Sequence, residues 1–191
     1  MSEQPSLFER YAEFPESRPQ GAGPSAYGTG GTRSSRGARI LSPAPTYPAR
    51  GQRPRREFFE QLVHEMKQSF DISIRKWRQS MSGVAYELHY SNGDVKRMIS
   101  APHPRSPVSA CIFLHEVGHH AIGFRKFRPR CLEEYHVWQW AFGQMRSRGI
   151  PIDLRVERHY RRSMHHYVCL AKKRGLRHIP PELMEFQSPP S

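Results

Sequence analysis

His115, Glu116 and His119, in the stretch Phe113-Leu-His-Glu-Val-Gly-His-His120, are the residues whose types and spacing together specify a chemistry. On a helix, residues four apart share a face, so both imidazoles can offer nitrogens to one metal ion while Glu116 stands beside the open coordination position. This is the H-E-x-x-H arrangement of zinc hydrolases, and it predicts Zn2+ as the cofactor. The metal would make a water acidic near neutral pH. Glu116 would take its proton as general base and return it to a leaving amine, which makes amide hydrolysis the expected reaction.

Two histidines do not close a catalytic zinc site, which takes three protein ligands and leaves a fourth position open. The third ligand is expected from the next helix, where Glu133 and Glu134 stand fourteen and fifteen residues beyond His119. Glu134 shares a face with Val137, Trp138 and Ala141, the apolar and therefore inward one, whereas Glu133 lies about 100 degrees round. Helix geometry thus favours Glu134 over Glu133; otherwise both are first-turn acids favoured by the helix dipole. A third histidine in the H-E-x-x-H-x-x-G-x-x-H pattern is absent, because Ile122 and Arg125 occupy its Gly and final His positions. His120 and His136 are off the ligand face, and Cys111, one turn before His115, reads as a buried thiol. His89, His103, His159, His165, His166 and His178 read as surface or supporting residues. One of them, or Tyr160 or Tyr167, would stabilise an oxyanion.

The elements that must position these groups follow from the surrounding pattern. Ser106 and Pro107 form an N-cap and first-turn pair that starts the motif helix, and Gly123 stops it. Ala110, Phe113, Leu114, Val117 and Ala121 give that helix its apolar stripe. Upstream, Phe58, Phe59, Leu62, Val63 and Met66 predict an amphipathic helix from Glu57 to about Phe70. Val84 to Tyr90 and Val95 to Ile99 flank Asn92-Gly93, an antiparallel hairpin signal, with a third strand from Asp71 to Arg78. Downstream, a second helix is expected from about Cys131 to Arg148, and a third from Asp153 to about Arg174. The expected fold is α+β: a small antiparallel sheet packed with the motif helix and two following helices.

Composition bounds the rest. Residues 1–55 are rich in Pro, Gly, Ser and Arg and read as a disordered basic tail, with a short helix near Leu7 to Phe14; 56–179 form the catalytic domain and 180–191 a flexible end. The net charge is +13, and from Ser17 to Arg56 there are eight Arg and no acidic residue. Such a tail attracts polyanions, either as weak nucleic-acid binding or as a solvated nonspecific segment. No apolar run reaches membrane-spanning length and the start lacks signal-peptide order, so no membrane partner and a cytoplasmic location are expected. Three well-separated cysteines disfavour a disulfide framework.

His115-Glu-Val-Gly-His119, preceded by a small sheet and followed by Glu134-Tyr-His-Val-Trp-Gln-Trp-Ala141, resembles the ImmA/IrrE group of zinc metallopeptidases over roughly Glu57 to Arg148. Members carry a HELGH-like motif and an E-x-x-A-x-x-F-A-like segment whose Glu completes the zinc site; Val137 and Trp140 stand at its Ala and Phe positions. The resemblance implies His115, His119 and Glu134 as ligands and limited proteolysis of a protein partner, often a helix-turn-helix repressor. The long third helix and basic tail are not features of that group. The alternative expectation is an inactive peptidase-like nucleic-acid-binding or scaffolding protein acting through its Arg-rich tail. A third combines the two, as in SprT-like proteases, although zinc-ribbon cysteine pairs are absent.

Overall fold

The computed structural model describes residues 47–48 and 56–189, so the basic segment 1–55, apart from Tyr47 and Pro48, and the short helix expected near 7–14 lie outside the described residues. The order of elements is α1 (Arg56–Phe70), β1 (Ile72–Arg78), β2 (Val84–His89), β3 (Val95–Pro102), α2 (Pro107–Ile122), α3 (Arg130–Ser147), α4 (Leu154–Lys173) and a terminal 3-10 helix (Pro181–Phe186). The class is α+β, as the sequence pattern implies. No helix among the described residues is long and apolar enough to cross a membrane.

α2 is the central element. Ser106 caps it by accepting from the Ser109 backbone N–H while the Ser109 side chain returns to the Ser106 N–H, with Pro107 opening the first turn. Gly123, at φ +92°, ends it by donating its N–H to the His119 carbonyl. Between the caps every residue from Ser109 to His120 is buried, because α2 is covered by α1, α3, α4 and the sheet. Gly118 makes the closest of these approaches possible: a Cβ there would stand 3.0 Å from both Trp140 Cε3 and Val137 Cγ1 of α3.

The sheet corrects the expected antiparallel arrangement: it is mixed, in the order β1-β3-β2, with β1 parallel and β2 antiparallel to β3. Asn92-Gly93 does turn the hairpin, Tyr90 and Asp94 closing it through a 2.9 Å backbone hydrogen bond. β3 takes the centre because its end, Ile99 to Pro102, is buried against α2. Two chain reversals separate β1 from β3, so the two run the same way. The connection 79–83 therefore crosses the end of the central strand instead of turning at an edge.

Two further boundaries differ from expectation. Tyr47, within the segment expected to be structureless, sets its ring edge-on to Phe58 at 5.4 Å and donates its N–H to the Arg148 carbonyl. The flexible end expected from residue 180 is packed, since Leu183 and Phe186 are buried in the 3-10 helix. Phe186 meets Tyr160 edge-on at 5.3 Å. Sequence alone hid this because two apolar residues three apart are too short a pattern to reveal a docking segment.

Candidate metal centre

α2 and α3 bring the three predicted ligands together. His115 and His119 project from consecutive turns of α2, and Glu134 reaches them from the second turn of α3 with no exposed surface. Its Oε2 lies 3.2 Å from His115 Nε2 and 3.6 Å from His119 Nε2. Zinc bonds of about 2.0–2.1 Å in a tetrahedron place neighbouring ligand atoms about 3.3 Å apart, so these edges fit such an ion. Among the described residues this is the group of three His, Cys, Asp or Glu side chains that could hold a metal.

The electrostatics agree with the fit. Burial pushes His115 down to about 4, so its imidazole is neutral and has a lone pair to give. Burial raises the Glu134 carboxyl, but contact with His115 and His119 outweighs it and holds the group below the usual carboxylate range. Glu134 Oε2 is buried without a well-formed hydrogen bond, as are Nδ1 of both histidines. Two buried imidazoles and a carboxylate oxygen facing one another in the interior are short of a cation, and the residues present fit zinc.

Aromatic rings fix the orientation. Trp138 lies 4.2 Å from the His115 ring, and Phe124, just past the end of α2, stacks parallel to His119. Glu116 is buried beside the ligands. Burial and then the charge of Glu134 push its carboxyl up to about 8, opposed by Arg78 and Arg130. The crossing connection covers it: a Cβ on Gly83 would run into Glu116 Cγ and Oε1.

Other sequence candidates fall away from the cluster for visible reasons. Glu133 is buried but outside the ligand group, and pairs with Arg130 at 3.7 Å. His120 Nε2 contacts the Met98 carbonyl of β3 at 3.1 Å, and His136 stacks on Phe127. Burial raises the Cys111 thiol, and the residue is outside the ligand group. Tyr160 accepts a hydrogen bond from Gln139 within the core, whereas Tyr167 faces Glu134, Arg130 and Glu116. Burial first, then Glu134, push the Tyr167 phenol up to about 12, so it keeps its proton.

Sequence reasoning missed four contributors. Arg130, one residue before the helix expected from Cys131, opens α3 and binds Glu134; its spacing of four from Glu134 was the available signal. Gly118, a glycine inside a helical pattern, was a second signal. Nothing local marks Gly83 or Arg78, which reach Glu116 only through the sheet crossover. No family model, no curated protein and no solved structure matches the chain.

Proposed function

We propose that the protein is a zinc-dependent metallopeptidase that hydrolyses a peptide bond of a protein substrate. The observation that carries this reading is the convergence of His115 Nε2, His119 Nε2 and Glu134 Oε2 with Glu116 buried alongside. Held by His115, His119 and Glu134, zinc would supply Lewis acidity toward a carbonyl and toward water. A bound dication would favour the ionised form of Glu116 against the burial and the Glu134 charge that push its carboxyl up, and the carboxylate would then take the proton of the attacking water and hand it to the departing amine. Tyr167, which keeps its proton beside Glu134, is the phenol we assign to the carbonyl oxygen as it gains charge. Trp138 and Phe124 hold the imidazoles and exclude bulk water from their outer faces. The ImmA/IrrE resemblance supports a protein substrate of regulatory kind, and the free cysteines suit a reducing, cytoplasmic setting.

The test pairs metal content with cleavage. Protein supplied with zinc should hold one ion per chain by elemental analysis and create new N-termini in a denatured protein mixture, read by mass spectrometry. Glu116→Gln should keep the zinc and lower cleavage by about 10²–10⁴-fold. A folded wild type that takes up no zinc would sink the proposal.

A second reading, polyanion binding, has its own support in α4. Arg155, Arg158, Arg162, His166 and Lys173 are exposed and recur at helical spacing, with Glu157 as the helix's sole acid. Among the described residues of α4, ion pairing reaches Arg161, which meets Glu185 at 3.1 Å. Arg155, Arg158, Arg162 and Lys173 form a cationic stripe about 27 Å long. Retention on a duplex DNA column that falls steeply with salt, and falls further in Arg158→Glu/Arg162→Glu, would support it; no retention at low salt would remove it.

A further inference from the structure

We infer that Arg130 is the positioning residue of the metal site, holding Glu134 so that a single carboxylate oxygen is offered to the ion. The inference rests on the zinc reading above and says how that site is tuned. Arg130 is the first residue of α3, one turn before Glu134. Its Nε and Nη2 both lie 2.8 Å from Glu134 Oε1, while Oε2 faces the two histidines. The guanidinium side chain is 55% exposed and the carboxylate it grips is 0% exposed. A cation at the protein's edge thus reaches inward to one oxygen of a buried acid.

Two consequences follow from chemistry. First, a carboxylate can bind a metal through one oxygen or through both, and two N–H donors on Oε1 remove that oxygen from competition. A single oxygen joined to two imidazoles leaves a fourth position open, which a hydrolytic site requires. Second, metal ligands are ordinarily oriented by groups behind them. Among the described residues neither histidine has a hydrogen-bond partner at Nδ1, so the hydrogen-bonded support of the ligand set falls on Glu134 and hence chiefly on Arg130, with Tyr167 beside it.

A guanidinium near a dication also repels it, so two effects of opposite sign act on affinity. Repulsion acts across the carboxylate and beside solvent, where screening weakens it. Orientation acts directly on a buried ligand that would otherwise have to be ordered as the ion binds. Orientation therefore dominates, and losing Arg130 weakens binding.

The experiment measures zinc affinity of the full chain by chelator competition for wild type, Arg130→Met and Arg130→Lys, with the visible spectrum of the cobalt(II) forms as a report on coordination number. Arg130→Met should weaken zinc by about 10–100-fold, and Arg130→Lys by less, since it keeps the charge but loses the fork. Cobalt bands should be intense and four-coordinate in the wild type and weaken toward five-coordinate in Arg130→Met as Oε1 joins the ion. A purely structural role would lower the melting temperature of the metal-free protein without moving the cobalt spectrum of the loaded one. Equal or tighter zinc binding in Arg130→Met would overturn the inference. If that variant does not fold, unchanged affinity and spectrum in Arg130→Lys would do so. A wild type that binds no zinc would instead sink the zinc reading itself.

Discussion

Ligand-type side chains stand four residues apart at several places on the described helices, and two of these pairs bear comparison. On α2 the pair is His115 and His119; on α4 it is His165 and Cys169. The α2 pair is buried and aims both Nε2 atoms at a third group, Glu134, brought by another helix. The α4 pair is turned to other uses. His165 Nδ1 contacts the Phe186 carbonyl at 2.9 Å, and Cys169 Sγ lies 3.5 and 3.9 Å from the two ring nitrogens. A sulfur nearly equidistant from both nitrogens sits beside or over the ring and off the nitrogen lone pairs. Spacing of four makes a pair of neighbours; convergence on a third group makes a cluster that could hold a metal. The α4 pair instead ties the terminal 3-10 helix to the body.

The largest effect that sharpens this comparison is in metal affinity. His119→Ala should lower zinc affinity by more than the roughly 100-fold that bounds the loss of an outer-shell partner. Chelator competition measures it, and a smaller loss would mean that His119 is not a ligand. Next is the tail-docking function assigned to the α4 region. Phe186→Ala removes a buried ring against Tyr160 and Tyr135 and should cost about 3–5 kcal/mol in denaturant unfolding. Zinc stoichiometry should survive it under native conditions; loss of metal in folded protein would show that the two regions are coupled.

Smaller effects test the packing beneath the first site. Gly118→Ala sets about 1–3 kcal/mol of overpacking on Val137 and Trp140 against about 1 kcal/mol of helix propensity regained. The balance is a net loss of about 1 kcal/mol by denaturant midpoint, and a gain would mean that the two side chains can move aside. Smallest is His165→Ala, which loses one contact to the Phe186 carbonyl and should cost about 1 kcal/mol with zinc per chain unchanged. A fall in bound zinc would make the α4 pair a second metal site and break the comparison.

The chain's local signals account for much of this. Ser106-Pro107 and Gly123 bracket α2, Asn92-Gly93 turns the hairpin, and the apolar periodicities mark α1, α3 and α4 close to their observed ends. That Glu134 rather than Glu133 faces the two histidines was legible from helix geometry, because both belong to the same rigid element as the apolar stripe that orients it; that Glu133 is buried all the same was not. Strand direction was not legible: β1, β2 and β3 have similar patterns whichever neighbours they choose, and only the burial of Ile99 to Pro102 puts β3 in the middle.

What the sequence by itself determined is the ligand set as a list of candidates and the helices that carry them, since periodicity and caps act within a few residues of chain. Only the tertiary structure decided that the candidates converge, that Arg130 takes one oxygen of Glu134, and that Gly83 and Arg78 come to Glu116. Those contacts join residues far apart in sequence, and their geometry depends on how closely α2 and α3 approach and on which way the strands run. The physical reason is that close packing and strand order are settled by the whole buried surface at once, whereas helix faces are settled one turn at a time.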